Sequence, residues 1–171
     1  MDLRDDRRTF LTLRLNDARY GIAVTKVQEI RPYETSGTRV PHAASHLRGV
    51  FNVRGHVVPL VDLNRCLGLP PQPTTDDTRV IIVEVDWSGE TVLLGAIADA
   101  VFTFLALDDE SLVEPPPRGT GIPREYLLGL GPSEAGFVRL LDIDRVLTQP
   151  PATTRGEAPD FPRRPGTDLN H

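Results

Sequence analysis

The alternation of apolar and polar residues near the amino end predicts a β-hairpin. Four positions that share one face of an extended segment are Thr9, Leu11, Leu13 and Leu15. Thr12 and Arg14 fall on the other face, which predicts a half-buried strand. Asn16-Asp17 then provides turn chemistry, and alternation resumes over residues 19–24 as a returning strand.

A second hairpin is predicted around Gly55. Two predicted strand segments, residues 51–53 and 57–61, flank the tripeptide Arg54-Gly55-His56. Glycine readily adopts the positive φ that a tight turn often demands.

Short helical and extended elements follow this hairpin. Asp62 is expected to act as the N-cap of a helical turn over residues 63–67, which Gly68 and two prolines terminate. Further strands are predicted at residues 80–85, 92–98, 101–105 and 137–141. Strand therefore dominates the chain, and helix is brief.

An internal repeat provides the main architectural prediction. A shift of 80 positions aligns seven identical residues within 21 positions, where amino-acid frequencies alone would give about one or two. The identical pairs are Leu47/Leu127, Gly49/Gly129, Val58/Val138, Leu60/Leu140, Asp62/Asp142, Arg65/Arg145 and Leu67/Leu147. A weaker echo, 74 positions apart, pairs Gly21 with Gly95 and Val27 with Val101. The repeat predicts two similar β-subdomains with a boundary near residues 70–80.

The repeat fails at one turn. Residues 51–56 align with residues 131–136 without a match. A shared scaffold accounts for the matching positions, so the unmatched turn is a candidate functional element.

Both ends of the chain are expected to lie outside the folded domain, which we place at residues 9–149. Residues 1–8 are predicted to be flexible. Residues 150–171 contain five prolines, two glycines and few large apolar residues, which predicts a disordered tail. The prolines at 115–117 predict an exposed loop.

Composition and charge exclude several classes of partner. The net charge is −5, and the 19 Lys and Arg residues are scattered, so we expect no nucleic-acid partner. No apolar run approaches the roughly 20 residues that span a bilayer, so no membrane insertion is expected. Arg7-Arg8 resembles a twin-arginine export motif, but Arg14 and Asp17 interrupt the apolar stretch that must follow. A cytoplasmic protein is therefore predicted.

No set of residues predicts catalysis or metal binding. Cys66 is the single cysteine, which rules out an internal disulfide and a cysteine-based zinc site. His42 and His46 have i,i+4 spacing but lack the glutamate of the zinc-protease helix motif. The acidic run at 108–110 is more typical of a solvated loop or helix start than of a metal site. Asp62 and Asp142 hold equivalent places in the repeat, which favours helix caps over catalytic carboxylates.

Two segments closely resemble the motifs of CheW-like chemotaxis adaptors. They are residues 20–31, YGIAVTKVQEIR, and residues 47–63, LRGVFNVRGHVVPLVDL. Similarity at 95–101 and 125–131 extends the resemblance over about residues 9–149. It implies a mainly β fold with short helices, in which two similar five-stranded, SH3-like β-barrel subdomains pack around a shared hydrophobic seam.

The resemblance also implies a function and two protein partners. CheW-like domains are non-catalytic adaptors that bind the cytoplasmic tip of a chemoreceptor and the regulatory domain of a CheA-type histidine kinase, and they need no cofactor. The family's receptor helix lies in the groove between subdomains. The receptor-binding residues implied here are Val27, Glu29, Ile30, Asn52, Arg54, Val101 and Phe104. The kinase-binding candidates are Arg48, Gly49, Pro117 and Arg118.

Other interpretations of these residues remain open. Val27, Ile30 and Val101 are equally consistent with core packing, and Arg54 with an ordinary exposed turn. A small β-barrel enzyme or ligand-binding protein is the alternative function, and an open cavity lined by His42, His46 or Asp108 would favour it. Flagellar, pilus-based and gene-regulating pathways are all compatible with the resemblance.

Overall fold

Ten strands and two short helices make up the part of the chain that the computed structural model describes, residues 7–33, 47–116, 119–134 and 136–148. The strands are β1 Arg7–Leu15, β2 Ala18–Ala23, β3 Val27–Pro32, β4 Leu47–Val53, β5 His56–Asp62, β6 Arg79–Trp87, β7 Glu90–Ala98, β8 Ala100–Asp108, β9 Leu127–Ser133 and β10 Gly136–Leu141. The helices are α1 Leu63–Cys66 and α2 Ile143–Thr148. Residues 1–6 and 149–171 lie outside the described residues, and with them the predicted tail at 150–171 and most of the flexible start predicted at 1–8. Arg7 and Arg8, also predicted to be flexible, begin β1 instead.

The strands form two five-stranded sheets with the same topology. The first sheet has the order β8-β1-β2-β10-β9, and the second sheet has the order β3-β6-β7-β5-β4. Each contains one parallel pair, β2 with β10 and β7 with β5, among antiparallel neighbours. The mainly β fold of two similar five-stranded units is therefore confirmed.

The two sheets exchange strands, so the sheet boundary does not lie at residues 70–80. The first repeat contributes β1 and β2 to the first sheet and β3, β4 and β5 to the second. The second repeat contributes β6 and β7 to the second sheet and β8, β9 and β10 to the first. Sequence identity shows which segments correspond, but hydrogen bonding between the repeats decides which segments pair.

The apolar core has three parts, as expected for two subdomains around a seam. The largest cluster lies between the sheets and includes Leu11 and Leu13 of β1 with Ile81 and Val83 of β6. Two smaller clusters lie on the other face of each sheet: Val53, Val58, Leu60, Val80, Ile82 and Ile97 in the second, and Phe10, Leu107, Val138 and Leu140 in the first. Strands β1 and β6 thus bury both faces, and the half-buried strand expected at the amino end was wrong because Phe10 and Thr12 are buried too.

The chain after β8 returns to the opposite edge of the first sheet. The Val113 N–H donates to the Leu130 carbonyl at 2.9 Å, and the Leu130 N–H donates to the Val113 carbonyl at 2.8 Å. A Cβ on Gly129 would lie 3.2 Å from the Val113 oxygen, which favours glycine there. This contact draws the two edges of the first sheet together.

The proline-rich segment is only partly exposed. Pro116 and Gly119 are exposed, but Pro115, Thr120 and Ile122 are buried, because the segment lies against the domain after the β9 contact. The exposure predicted for this loop therefore holds for Pro116 and Gly119 but not for the three buried residues. Pro117 and Arg118 lie outside the described residues.

Polar side chains tie the chain where it crosses between sheets. At the β7–β8 crossing, the Asp99 carboxylate accepts a hydrogen bond from the Asn16 N–H at 2.7 Å and from the Asn64 amide at 3.1 Å. At the β2–β3 crossing, Lys26 Nζ lies 2.8 Å from Asp144 Oδ2. Asn64 in α1 and Asp144 in α2 occupy equivalent positions of the repeat. Each of the two helices therefore stabilises one place where the chain crosses between the sheets.

Candidate protein-interaction surface

The β4–β5 turn presents Arg54 at its tip. Arg54 and Gly55 have φ values of 54° and 85°, as a two-residue turn with positive φ at both positions requires. The Gly55 N–H donates to Asn52 Oδ1 at 2.8 Å, so Asn52 stabilises the turn. The Arg54 side chain is 72% exposed.

Glu29 of β3 links this turn to the far edge of the second sheet. Its Oε1 lies 3.4 Å from Arg54 Nη2, and its Oε2 lies 3.2 Å from Arg31 Nε. The Arg31 guanidinium in turn lies 6.0 Å from the centroid of the Phe51 ring on β4. Because β3 and β4 are the two edge strands of the sheet, these contacts hold its edges together.

Val27 and Ile30 lie on the face of β3 that turns toward the core between the sheets. Their cross-strand partners on β6 are Val83 and Ile81, which both belong to that core. A β-bulge lies between them. Val27 packs against the core, whereas Ile30 is 40% exposed.

Val101 and Phe104 repeat this arrangement on β8. They lie opposite Leu13 and Leu11 of β1, again with a β-bulge between them. Val101 packs against the core between the sheets, and Phe104 is 60% exposed. Each edge strand therefore carries one covered valine and one exposed apolar residue beside the seam.

The seven receptor candidates form two groups. Glu29 pairs with Ile82, which belongs to the small apolar cluster on the face of the second sheet opposite the core between the sheets. Glu29 therefore faces away from Ile30 and toward Arg54. The first group is thus Glu29, Asn52 and Arg54. The second group contains the four apolar residues beside the seam.

The described kinase candidates, Arg48 and Gly49, are partly engaged within the fold. Arg48 Nη1 donates to Asp62 Oδ2 at 3.1 Å, and Gly49 is buried. Asp62 also caps α1 by accepting a hydrogen bond from the Asn64 N–H at 3.0 Å. Asp142 accepts one from the Arg145 N–H at 3.3 Å, so the predicted caps are confirmed.

A pocket of about 220 Å³ opens beside the Arg54 turn. Its lining residues are Gln28, Val53, Arg54, His56, Glu84, Thr91 and Leu93. Gln28 Nε2 donates a hydrogen bond to Glu84 Oε1, and His56 Nδ1 is buried without a hydrogen-bond partner. Sequence analysis did not predict this pocket, because its walls come from all five strands of the second sheet.

The residues considered for catalysis occupy ordinary structural positions. Asp109 begins a 3₁₀ turn and lies 2.9 Å from Arg8, and burial raises the pKa of the Cys66 thiol. Across residues 7–33, 47–116, 119–134 and 136–148, no His, Cys, Asp and Glu side chains are grouped to hold a metal ion. His42 and His46 lie outside the described residues.

Exposed apolar residues beside a seam, together with an exposed, ion-paired arginine, are typical of a protein-interaction scaffold. A family model described as CheW-like domain matches residues 9–150. Chemotaxis protein CheW of Klebsiella aerogenes is 32% identical over 139 residues, 81% of either chain. Protein FrzA of Myxococcus xanthus is 30% identical over 142 residues, 81% of this chain and 84% of FrzA. The crystal structure of the scaffolding protein TtCheW from Thermoanaerobacter tengcongensis is similar with a TM-score of 0.71 and 26% identity, covering 81% of this chain and 91% of that one.

The chain belongs to the CheW-like family. It is a non-catalytic chemotaxis adaptor rather than an enzyme. No helix in the described part of the chain is both long enough and apolar enough to cross a membrane.

Proposed function

We propose that this adaptor couples chemoreceptors to a CheA-type histidine kinase in the cytoplasm, at receptor arrays, through two separate surfaces. The receptor surface comprises Val27, Glu29, Ile30, Asn52, Arg54, Val101 and Phe104. The kinase surface comprises Arg48, Gly49, Pro117 and Arg118. The observation that carries the receptor assignment is that Arg54 is held at its base yet exposed at its tip.

The Arg54 turn supports this role by its geometry. Asn52 fixes the turn from within, and Glu29 lies 3.4 Å from the guanidinium. A guanidinium has five donors in a planar fork, so a positioned arginine can still bind carbonyl or carboxylate oxygens of a partner. Because fewer rotamers are lost on binding, such an arginine is suited to be an interface hot spot.

The apolar residues beside the seam support a helical partner. Ile30 and Phe104 are exposed large apolar side chains at equivalent positions of β3 and β8. An amphipathic helix binds by laying its apolar face on such side chains, with polar contacts at the rim. The cytoplasmic tip of a chemoreceptor, a coiled coil of helices, has the chemistry that this surface accepts.

The kinase surface is proposed for the edge of the second sheet around Arg48. Among the described residues β4 is an edge strand of the second sheet, and strand edges favour pairing with a similar β-domain. Arg48 is one-third exposed on this strand, so part of its side chain can contact a partner while the guanidinium stays near Asp62.

Separate binding titrations would test the proposal. A receptor cytoplasmic fragment and a kinase regulatory domain are each titrated into the full-length protein, and then both together. We expect each partner to bind alone and a ternary complex to form. Competition between the partners would refute two separate surfaces, and binding of neither would refute the coupling function. The receptor and kinase recovered with the protein from its native cells would identify the pathway.

A further inference from the structure

The pocket beside Arg54 lies where the two sheets differ most. Gln28 on β3 corresponds to Phe102 on β8, and Leu93 on β7 corresponds to Arg19 on β2, both 74 positions apart. In the first sheet the Arg19 guanidinium lies 4.1 Å from the centroid of the Phe102 ring. In the first sheet the stacked Arg19–Phe102 pair therefore occupies the position that Leu93 and Gln28 of the pocket wall have in the second sheet.

The remaining wall comes from the turn that breaks the repeat. Val53, Arg54 and His56 all belong to residues 51–56, which have no match in the other half. Arg54 also keeps a positive φ that side chains other than glycine adopt rarely. The pocket is therefore specific to this sheet and is not a property that the shared scaffold provides twice.

One polar atom of the pocket lining lacks a hydrogen bond, since His56 Nδ1 is buried without a partner. Glu29 Oε1, which does not line the pocket but lies 3.4 Å from Arg54 Nη2, has no hydrogen-bond partner either. Buried polar atoms are nearly always hydrogen-bonded in folded proteins. A ligand group that offers a hydrogen bond in this pocket would satisfy His56 Nδ1.

The lining favours an uncharged ligand group. Among the lining residues Arg54 is balanced by Glu84, so neither an added carboxylate nor an added ammonium meets a net opposite charge. An amide can donate to Glu84 and accept from Arg54, and His56 Nδ1 can serve as donor or acceptor according to its tautomer. Val53 and Leu93 provide apolar contact for a methylene stem.

We propose that this pocket receives one asparagine or glutamine side chain of the receptor helix. The proposal rests on receptor binding at the Arg54 turn. It adds a specific recognition element to the apolar contact, because an amide of the right reach would be required as well as an apolar face.

The test transplants the residue of the first sheet into the second. Gln28→Phe places at β3 the side chain that β8 has at the equivalent position, and it should fill the pocket mouth. The reciprocal change, Phe102→Gln, is the matched control. We expect Gln28→Phe to weaken receptor binding about tenfold without changing affinity for the kinase domain, and Phe102→Gln to bind like the wild type.

The His56 ring nitrogen gives a direct readout that does not depend on a variant. With ¹⁵N-labelled histidine, the Nδ1 signal of the full-length protein should move when the receptor fragment is added. Propionamide should move the same signal, whereas propionate and propylammonium of equal size should not. Movement with either ion but not with propionamide would overturn the amide assignment.

The failures of the two proposals are distinguishable. If the wild type binds no receptor fragment, the proposed function fails. If it binds, but the His56 Nδ1 signal stays fixed at saturation or Gln28→Phe binds like the wild type, the pocket proposal fails alone. Should Gln28→Phe not fold, Glu84→Ala, which removes an acceptor without filling space, is expected to weaken receptor binding instead, and unchanged binding would refute the pocket.

Discussion

Lys26 Nζ lies 2.8 Å from Asp144 Oδ2, and Asp144 Oδ1 accepts the backbone N–H of Asp86 at 2.9 Å. The Asp144 carboxylate thus links α2 both to the β2–β3 crossing between the sheets and to β6 of the second sheet. The equivalent position in α1 is Asn64, which binds Asp99 through its amide. The same joint is therefore ionic in one half of the molecule and amide-based in the other.

Replacing Lys26 with methionine is expected to lower the free energy of unfolding by up to about 1 kcal/mol near neutral pH. The hydrogen bond to Asp144, and then the charges of Asp144, Asp86 and Asp142, raise the pKa of Lys26 above its ordinary 10.5 despite opposing desolvation. The stabilisation of the folded protein that accompanies a raised lysine pKa is complete below the pKa of the unfolded chain. It is lost as the pH rises through the pKa of the folded protein. Urea unfolding at about pH 7, 9 and 11 should show the same difference from wild type at the two lower pH values and a smaller one at the highest. A difference as large at about pH 11 as at about pH 7 would assign the effect to packing of the lysine stem.

Asn64→Ala should cost about 2 kcal/mol of unfolding free energy. The substitution removes the amide that donates to both Asp99 oxygens, at 3.1 and 3.2 Å, and accepts from the Asn16 amide at 2.8 Å. Because Asn64 and Asp99 are buried, screening is weak and the loss should be similar at low salt and at about 1 M salt. Lys26→Met serves as the comparison, since the partly exposed Lys26–Asp144 ion pair should weaken with salt. A strong salt dependence of the Asn64 variant would contradict this assignment.

Arg54→Ala is expected to separate stability from binding. The side chain is 72% exposed, so unfolding free energy should change by no more than about 0.5 kcal/mol. Receptor affinity should fall by about 1–3 kcal/mol, as for an arginine hot spot. Glu134→Ala, at the equivalent turn position of the first sheet, is the control and should leave both quantities unchanged. Thermal melting and calorimetric titration on the same preparation measure both, and a large stability loss would make Arg54 a scaffold residue.

Gly95→Ala should destabilise the fold by about 1–3 kcal/mol. An added Cβ would lie 2.9 Å from Leu60 Cδ2 and 3.0 Å from Val80 Cγ1, inside a packed cluster. Gly21→Ala meets slightly longer contacts, of which the shortest is 3.0 Å to Leu140 Cδ2, and should cost less. Chemical unfolding of both variants checks that Gly95→Ala lowers stability more than Gly21→Ala does. If both variants were as stable as the wild type, the parallel strands would be able to move apart.

Deleting residues 150–171 is expected to change the melting temperature by less than about 1 °C. The prediction follows from composition, since few large apolar residues are available there for burial. A drop of several degrees on thermal melting would show that the segment docks on the domain.

The sequence predicted the elements of the fold but not their partners. Leu60 and Leu140 match across the repeat because each lies beside a glycine of a parallel strand, Gly95 and Gly21, and such packing leaves a signal in both halves. Strand exchange leaves none, because β2 has the same apolar face whichever strand it joins. The Glu29–Arg54 ion pair was also not predictable, since it spans opposite edges of a curled sheet. The pocket was not predictable either, because its lining residues come from all five strands of the second sheet.

The exchange of strands determines when the domain can fold during synthesis. β2 emerges from the ribosome early, yet its parallel partner is β10, one of the last ordered segments to be made. A lone two-stranded hairpin is at best marginally stable in water, and the other partners of β1 and β2 in the first sheet, β8 and β10, are both made later. Leu13 and Ile22 belong to the core between the sheets, so they stay exposed in the nascent chain until those later strands pair. A message truncated before residue 136 would yield a chain that does not fold, not a smaller working adaptor.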